Sequence, residues 1–189
     1  MAALLTPFGL LSFPNLFTPR APAEGAEPRY SLNLVFDQKA QASNEYKILK
    51  DAVTQCAREK WGNKIPSNLR SPFRNAGEKD YAGYEEGFIF INAWTKTAPG
   101  LVGPMREDIL DPNDVWAGQL ARASVKPFAY DNSGNRGVAF SLENVQIGKF
   151  DMPRLDGRTA AHKAFGDADV SIYAGDTNNN EDTNSDFPF

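Results

Sequence analysis

Apolar and polar residues alternate with a period of two along several stretches of this chain, and with a helical period along one. In RYSLNLVF (Arg29–Phe36), Tyr30, Leu32, Leu34 and Phe36 fall on one side and Arg29, Ser31 and Asn33 on the other, the pattern of a half-buried strand. EEGFIFINAWTK sets Ile89, Ile91 and Ala93 against Phe88, Phe90, Asn92, Trp94 and Lys96. LARASVKPFAY sets Ala121, Ala123, Val125 and Ala129 against Arg122, Ser124, Lys126, Phe128 and Tyr130. DNSGN then reads as a hairpin turn, and RGVAFSLENVQIGKF as the returning strand. Between the first two strands, SNEYKILKDAVTQCAREKW brings Tyr46, Leu49, Val53 and Cys56/Ala57 onto one helical face. Ser43 is placed to cap that helix and Gly62 to end it, with Lys47, Lys50 and Arg58 on the wet side.

The opening MAALLTPFGLLSFPNLF is apolar, but it lacks a basic start and is interrupted by Pro7, Gly9 and Pro14. It reads as a strand with turns rather than a signal peptide. GNKIPSNLRSPFRNAGEKDYAGY is too rich in Gly, Pro, Asn and charge for regular structure, and a Pro/Gly loop and the turn-like DPND follow the third strand. The order is strand, strand, helix, strand, strand, strand, without regular alternation of strands and helices. That order predicts a mainly β domain with one helix, built as a small antiparallel barrel or sandwich.

Charge divides the chain in two. From Asp167 to Phe189 there are six acidic residues and no basic one, leaving the body with a net charge of +2. The expected organisation is a domain over 1–166, with its barrel core at about 8–150, and an acidic, disordered tail over 167–189. The tail closes on Asp186-Phe187-Pro188-Phe189. Solubility alone does not call for two terminal aromatics, so Asp182, Asp186, Phe187, Pro188 and Phe189 are read as a partner-binding segment. The single cysteine, Cys56, leaves no internal disulfide and suits a reducing cytoplasm. No segment approaches the roughly 18 unbroken apolar residues of a membrane span.

Two strand faces mix rings with cations: Phe88, Phe90, Trp94 and Lys96 on one, Arg122, Lys126, Phe128 and Tyr130 on the other. Stacked bases need flat apolar surfaces and their phosphates need nearby positive charge, so this mixture is what single-strand binding requires. Phe88 and Phe90 fit equally a core whose cations merely cover it. On the second strand, Arg, Ser and Lys share the aromatic face while small residues fill the opposite one. The loop Arg70–Tyr84 repeats the mixture through Arg70, Phe73, Arg74, Lys79, Tyr81 and Tyr84.

Signals of catalysis are poor, and neither a catalytic residue nor a metal or other cofactor is expected. Asp108, Asp111 and Asp114 could serve a metal-dependent nuclease, but DILDPND is equally a run of turn and cap residues. DNSGN begins like a calcium loop, yet the twelfth position from Asp131 is Leu142, where a bidentate Glu is required. His162 is the only histidine, and no GxxxxGK[ST] occurs.

RYSLNLVFD, SPFRNAGEKDYAGYEEGFIFINA, ILDPNDVWAGQLARASVKPFAYDNSGNRGVAFSLENVQIGKFD and the acidic tail together resemble a phage single-stranded DNA-binding protein family with an OB-fold, formerly a domain of unknown function of phage replication modules. The resemblance spans about Pro14 to Asp169. It implies a five-stranded barrel whose sheet face and loops hold single-stranded DNA, in the cytoplasm of an infected bacterial host, and replication or recombination partners recruited through the tail. The matching positions are Arg74, Tyr81 and Tyr84 in the loop, Phe88, Phe90, Trp94 and Lys96 on the third strand, and Arg122, Lys126 and Tyr130 on the fourth. In the common OB pattern the helix lies between the third and fourth strands, whereas here it falls between the second and third. Either a further strand hides near LLSFPNLF or the barrel is decorated. Two other functions compete: a virion or scaffold interaction protein without a DNA role, and a nuclease accessory using Asp108, Asp111 and Asp114.

Overall fold

An odd number of strands cannot close into a ring with every neighbour antiparallel, and this chain shows the consequence. The computed structural model describes residues 2–62, 64–132, 134–159 and 164–165, and the architecture below belongs to the unit Met1–Arg158. Its strands are β1 (Leu4–Leu5), β2 (Gly9–Arg20), β3 (Arg29–Phe36), β4 (Arg74–Asn75), β5 (Ile89–Thr95), β6 (Gly100–Val102), β7 (Leu120–Asn132) and β8 (Asn135–Lys149). A short helix α1 (Gln38–Gln41) precedes the main helix α2 (Asn44–Trp61). β2 pairs with β3, β3 with β5, β5 with β8, β8 with β7, and β7 again with β2. This is the five-stranded barrel expected from the sequence. The expectation of an all-antiparallel barrel is corrected at one seam, where β5 and β8 run parallel (Ala93 opposite Phe140) as the odd count demands.

The helix does lie between the second and third barrel strands, so the barrel is decorated rather than one strand short. β1 on β7, β4 on β5 and β6 on β8 are the additions. The loop reading missed β6 because a three-residue strand in a Gly/Pro context has no period to detect. Beyond the expected barrel core at about 8–150, Met152 and Leu155 are held to the body by backbone atoms. Leu155 N–H donates to Ala117 O at 2.9 Å, and Trp116 Nε1–H donates to Met152 O at 3.2 Å.

The period-two faces fill the barrel: Leu32, Leu34, Phe36, Ile91, Ala93, Ala121, Ala123, Val125, Phe140 and Ile147 are all buried. Tyr46 and Leu49 of α2 join this core, while Cys56 and Ala57 pack with Val138 in a separate cluster. Ser43 Oγ accepts from Tyr46 N–H at 3.2 Å and Gly62 ends the helix, as the sequence reading places them. The acidic-tail residues Asp182, Asp186, Phe187, Pro188 and Phe189, and His162, lie outside the described residues.

Phe140 sits at the parallel seam, fully buried and 5.8 Å from the Phe73 ring. Phe140→Ala is expected to cost about 3–5 kcal/mol of stability through lost burial and an unfilled cavity. Urea titration followed by circular dichroism measures it.

Candidate nucleic-acid interface

The alternation that buries Leu32, Ile91 and Ala93 turns Ser31, Asn33, Asn92 and Trp94 to the outside of the barrel. Register then aligns them across strands: Ser31 opposite Trp94 and Asn33 opposite Asn92, with Trp94 reaching Ser141 on β8 and Ser141 reaching Lys126 on β7. Trp94 therefore meets Phe128, their centroids 5.7 Å apart and their planes at 86°. Two rings set edge to face leave an apolar corner. The corner opens into a cleft of about 470 Å³ lined by Trp94, Lys96, Lys126, Phe128 and Ser141. The Arg29 guanidinium lies 4.5 Å from the centre of the Trp94 ring, a cation–π contact, and its partial burial lowers its pKa.

Both lysines of the cleft are held by carboxylates, Lys96 by Glu27 and Lys126 by Glu143. The hydrogen bond from each lysine keeps its partner carboxyl below the usual carboxylate range. The Lys96–Glu27 pair is exposed and the Lys126–Glu143 pair half-exposed, and such pairs contribute little to stability. Their effect is on availability: a phosphate reaching Lys126 competes with Glu143.

A second group of the sequence-selected residues gathers elsewhere on the same outer face. Tyr84 and Phe90 are buried with Val35 and Ala76, and Phe88 packs beside them. Of the two readings open for Phe90, the structure gives the core one. Arg74 on β4 stands opposite Phe90, its guanidinium 5.9 Å from the ring centre. Tyr84 Oη accepts from Asn33 Nδ2 at 2.9 Å, and Asn33 Oδ1 accepts from Asn92 Nδ2 at 2.9 Å. Burial raises the Tyr84 pKa. Tyr81 remains half exposed above Tyr84. A tight turn sets this arrangement: Tyr84 N–H donates to Tyr81 O at 3.0 Å, and Gly83 occupies φ +80°, which side chains rarely adopt.

The remaining candidates stand apart. Arg122 donates to Gln146 Oε1 at 2.9 Å and covers the Phe8 ring, four positions from Lys126 along β7. Tyr130 lies over Gly137, where its hydroxyl would be 2.5 Å from any added Cβ. Arg70 is fixed by its backbone, donating to Arg136 O at 2.9 Å and accepting from Val138 N–H at 3.1 Å. The sequence reading missed Arg29, Glu27, Glu143 and Phe13. Arg29 was visible as a polar-face residue of its strand, but nothing in spacing tells that it lands on Trp94.

The Asp108/Asp111/Asp114 group falls in a turn. Asp111 Oδ1 accepts from Asn113 N–H at 2.8 Å, capping a single 3₁₀ turn, and Asp114 O accepts from Gln119 Nε2 at 2.9 Å. Among the described residues, no three His, Cys, Asp or Glu side chains converge so as to hold a metal ion. No helix among them is long and apolar enough to cross a membrane.

Residues 9–178 match the model of a family described as the single-stranded DNA-binding protein of Enterobacter phage Enc34. The chain belongs to that family. Among solved structures, the fold is similar to the bacteriophage Enc34 single-stranded DNA-binding protein in complex with single-stranded DNA. That likeness has 20% identity over 79% of this chain and 87% of that one, with a TM-score of 0.67. The same Enc34 protein in another structure gives 21% identity over 85% and 88% of the two chains, with a TM-score of 0.64. The single-stranded DNA-binding protein gp2.5 of bacteriophage T7 gives 11% identity over 88% and 98%, with a TM-score of 0.62. No curated protein matches. At these identities the structural likeness speaks to the fold, and the family match to the class: single-stranded DNA-binding proteins, which are not enzymes.

The carboxylate-held lysines give a pH dependence with a definite sign. In the free protein Lys126 keeps the Glu143 carboxyl low; a phosphate that displaced it from Lys126 would let that carboxyl rise toward its ordinary range, so binding there would take up a proton. Affinity for labelled oligo-dT is expected to rise as pH falls below about 5. Glu143→Gln should tighten binding at neutral pH and flatten that rise, both read by fluorescence anisotropy.

Proposed function

We propose that this protein coats single-stranded DNA without base preference during phage replication or recombination, in the cytoplasm of the infected cell. The observation that carries the reading is the Trp94–Phe128 corner flanked by Lys96, Lys126 and Arg29 on the outer barrel face. A base has two ring surfaces to stack on there, and its phosphates have cations within reach. Stacking and phosphate contacts read no base edges, hence the lack of sequence preference. Tyr81 and Arg74 border this face and extend the contact, and Arg70, Arg122 and Tyr130, which stand apart from it, are reached by a longer strand. Tyr84, Phe88 and Phe90 support it from beneath.

The organisation that fits is a DNA-binding domain over 1–166 and a separate acidic tail over 167–189. Tethering gives the tail a high effective concentration near the basic face, so it competes with DNA for the same cations. When DNA displaces it, Phe187-Pro188-Phe189 is free to enter an apolar pocket rimmed with Arg or Lys on a replication or recombination protein.

Trp94→Ala is expected to weaken oligo-dT binding by about 1–3 kcal/mol. Its melting temperature should stay close to wild type, because Trp94 lies on the outer face. A plot of log K against log salt should have a negative slope, about 0.7 steeper per phosphate engaged. A slope of zero, or a Trp94→Ala protein that unfolds early yet binds normally, would remove the cleft from the interface.

Deleting Asp176–Phe189 removes four acidic side chains and is expected to tighten DNA binding, most at low salt. Deleting only Phe187–Phe189 leaves every acidic side chain in place. DNA affinity should then be unchanged, while capture of replication proteins from infected-cell lysate is lost. Equal capture by both forms would reduce the tail to a charge screen.

A further inference from the structure

In β2, Leu11 and Leu16 both point into the barrel although they are five positions apart. Strict alternation allows only even spacings on one face, so the strand must carry an extra residue between them. The β2–β3 register does shift between Ser12 and Asn15, and Phe13 sits in that bulge at φ +47°. Only Phe13 and Arg106 combine a side chain with positive φ among the described residues. The bulge throws the Phe13 ring out of the barrel, where it is 50% exposed. A large apolar side chain is thus held on the surface in a backbone conformation that disfavours it, and strain of this kind gathers at functional sites.

The ring is not loose. Phe13 meets Tyr81 edge to face at 5.0 Å, and both stand on Tyr84, at 6.5 Å and 5.4 Å. Tyr84 in turn is anchored by Asn33 and packs on Phe90. Phe13 and Tyr81, both about half exposed, bound a cavity of about 550 Å³ that Arg20, Asn15, Asp80 and Asp156 also line. Asp156 is occupied by Arg154 and by the Arg158 N–H.

We propose that Phe13 and Tyr81 form a second base-stacking notch, so that single-stranded DNA crosses the outer face from Trp94/Phe128 to Phe13/Tyr81. The proposal rests on the reading of the Trp94 cleft as a DNA site and adds a separate contact to it. Continuity of the face supports the path. Asn15, Ser31 and Trp94 form one cross-strand row, and Ser12, Asn33 and Asn92 form the next. Phe13 lies between the two rows on β2, and the Asn33–Asn92 amides fill the ground between notch and cleft. The notch differs from the cleft in charge. Arg20 shares the cavity lining with Asp80 and Asp156, so stacking rather than phosphate neutralisation carries this contact.

Phe13→Gly tests the notch because glycine accepts the positive φ: the ring is removed while the backbone strain is relieved. The melting temperature should be unchanged or raised. Oligo-dT long enough to reach both sites should bind about 5- to 150-fold more weakly, the factor for one stacked base. The salt slope should not change, and short oligo-dT that occupies one site should still bind through Trp94. In parallel, full-length protein photo-cross-linked to 5-iodouridine oligonucleotide should yield adducts on Phe13 or Tyr81. If Phe13→Gly binds long oligonucleotides as wild type and no adduct forms at either residue, the notch is overturned and the Trp94 cleft stands. If short oligonucleotides fail to bind wild type and Trp94→Ala has no effect at any length, both fall together.

Discussion

Closure of the barrel depends on one strand serving two neighbours. β2 pairs with β3 along most of its length, while its first residues, Gly9 and Leu10, also pair with Ala121 and Leu120 of β7. A straight strand within a flat sheet could not turn from one partner to the other, and a bulge supplies the bend. The closing seam is short, and side chains and backbone around it extend it. Thr6 exchanges hydrogen bonds with Ala123, and Leu11 with Gln119 and Gly118. Once the ring is shut, its interior is filled with apolar side chains, and a ligand has only the outside to use.

The proposed recognition surface therefore consists of residues that the core leaves over. Along β3 and β5 the outward positions are Ser31, Asn33, Asn92 and Trp94, and their order is fixed by the same register that packs Leu32 against Ala93. Face chemistry and core packing are two readings of one alternation. The carboxylates Glu27 and Glu143 temper the charge of the face by pairing with its lysines. A surface of this kind has positive charge to offer without being strongly basic overall, in keeping with the small net charge of the body.

The long periodic elements were legible in the sequence because alternation over seven or more residues leaves few other ways to bury them. β3, α2, β5, β7 and β8 are all of this kind, and so are the separate faces that carry Trp94 with Lys96 and Lys126 with Phe128; that the two faces meet through β8 was not legible. The short pairings β4 and β6 were not, since their partners lie far away in sequence and their own residues carry no period. Phe90 and Tyr84 show the limit of reading faces from one strand: the outward side of β5 is itself covered by the 74–84 loop, so outward is not the same as exposed. Phe13 was hidden for a different reason. A bulge breaks the alternation that would reveal it, and only the odd spacing of Leu11 and Leu16 betrays it.

The sequence distance across the seams sets an order of assembly. β2, β3 and β5 all lie in the first half of the chain, whereas ring closure at the β2–β7 seam joins Gly9 to Ala121. Long-range pairings form late because the loops they close are large. During synthesis the three-stranded sheet that bears Trp94 can exist before its cylinder does, with both edges open and its apolar underside uncovered. The nascent chain is then most exposed to misassociation in the interval before β7 leaves the ribosome. The β7–β8 hairpin, paired from Leu120–Lys149 to Asn132–Asn135, ends that interval by delivering both missing walls in a single local event.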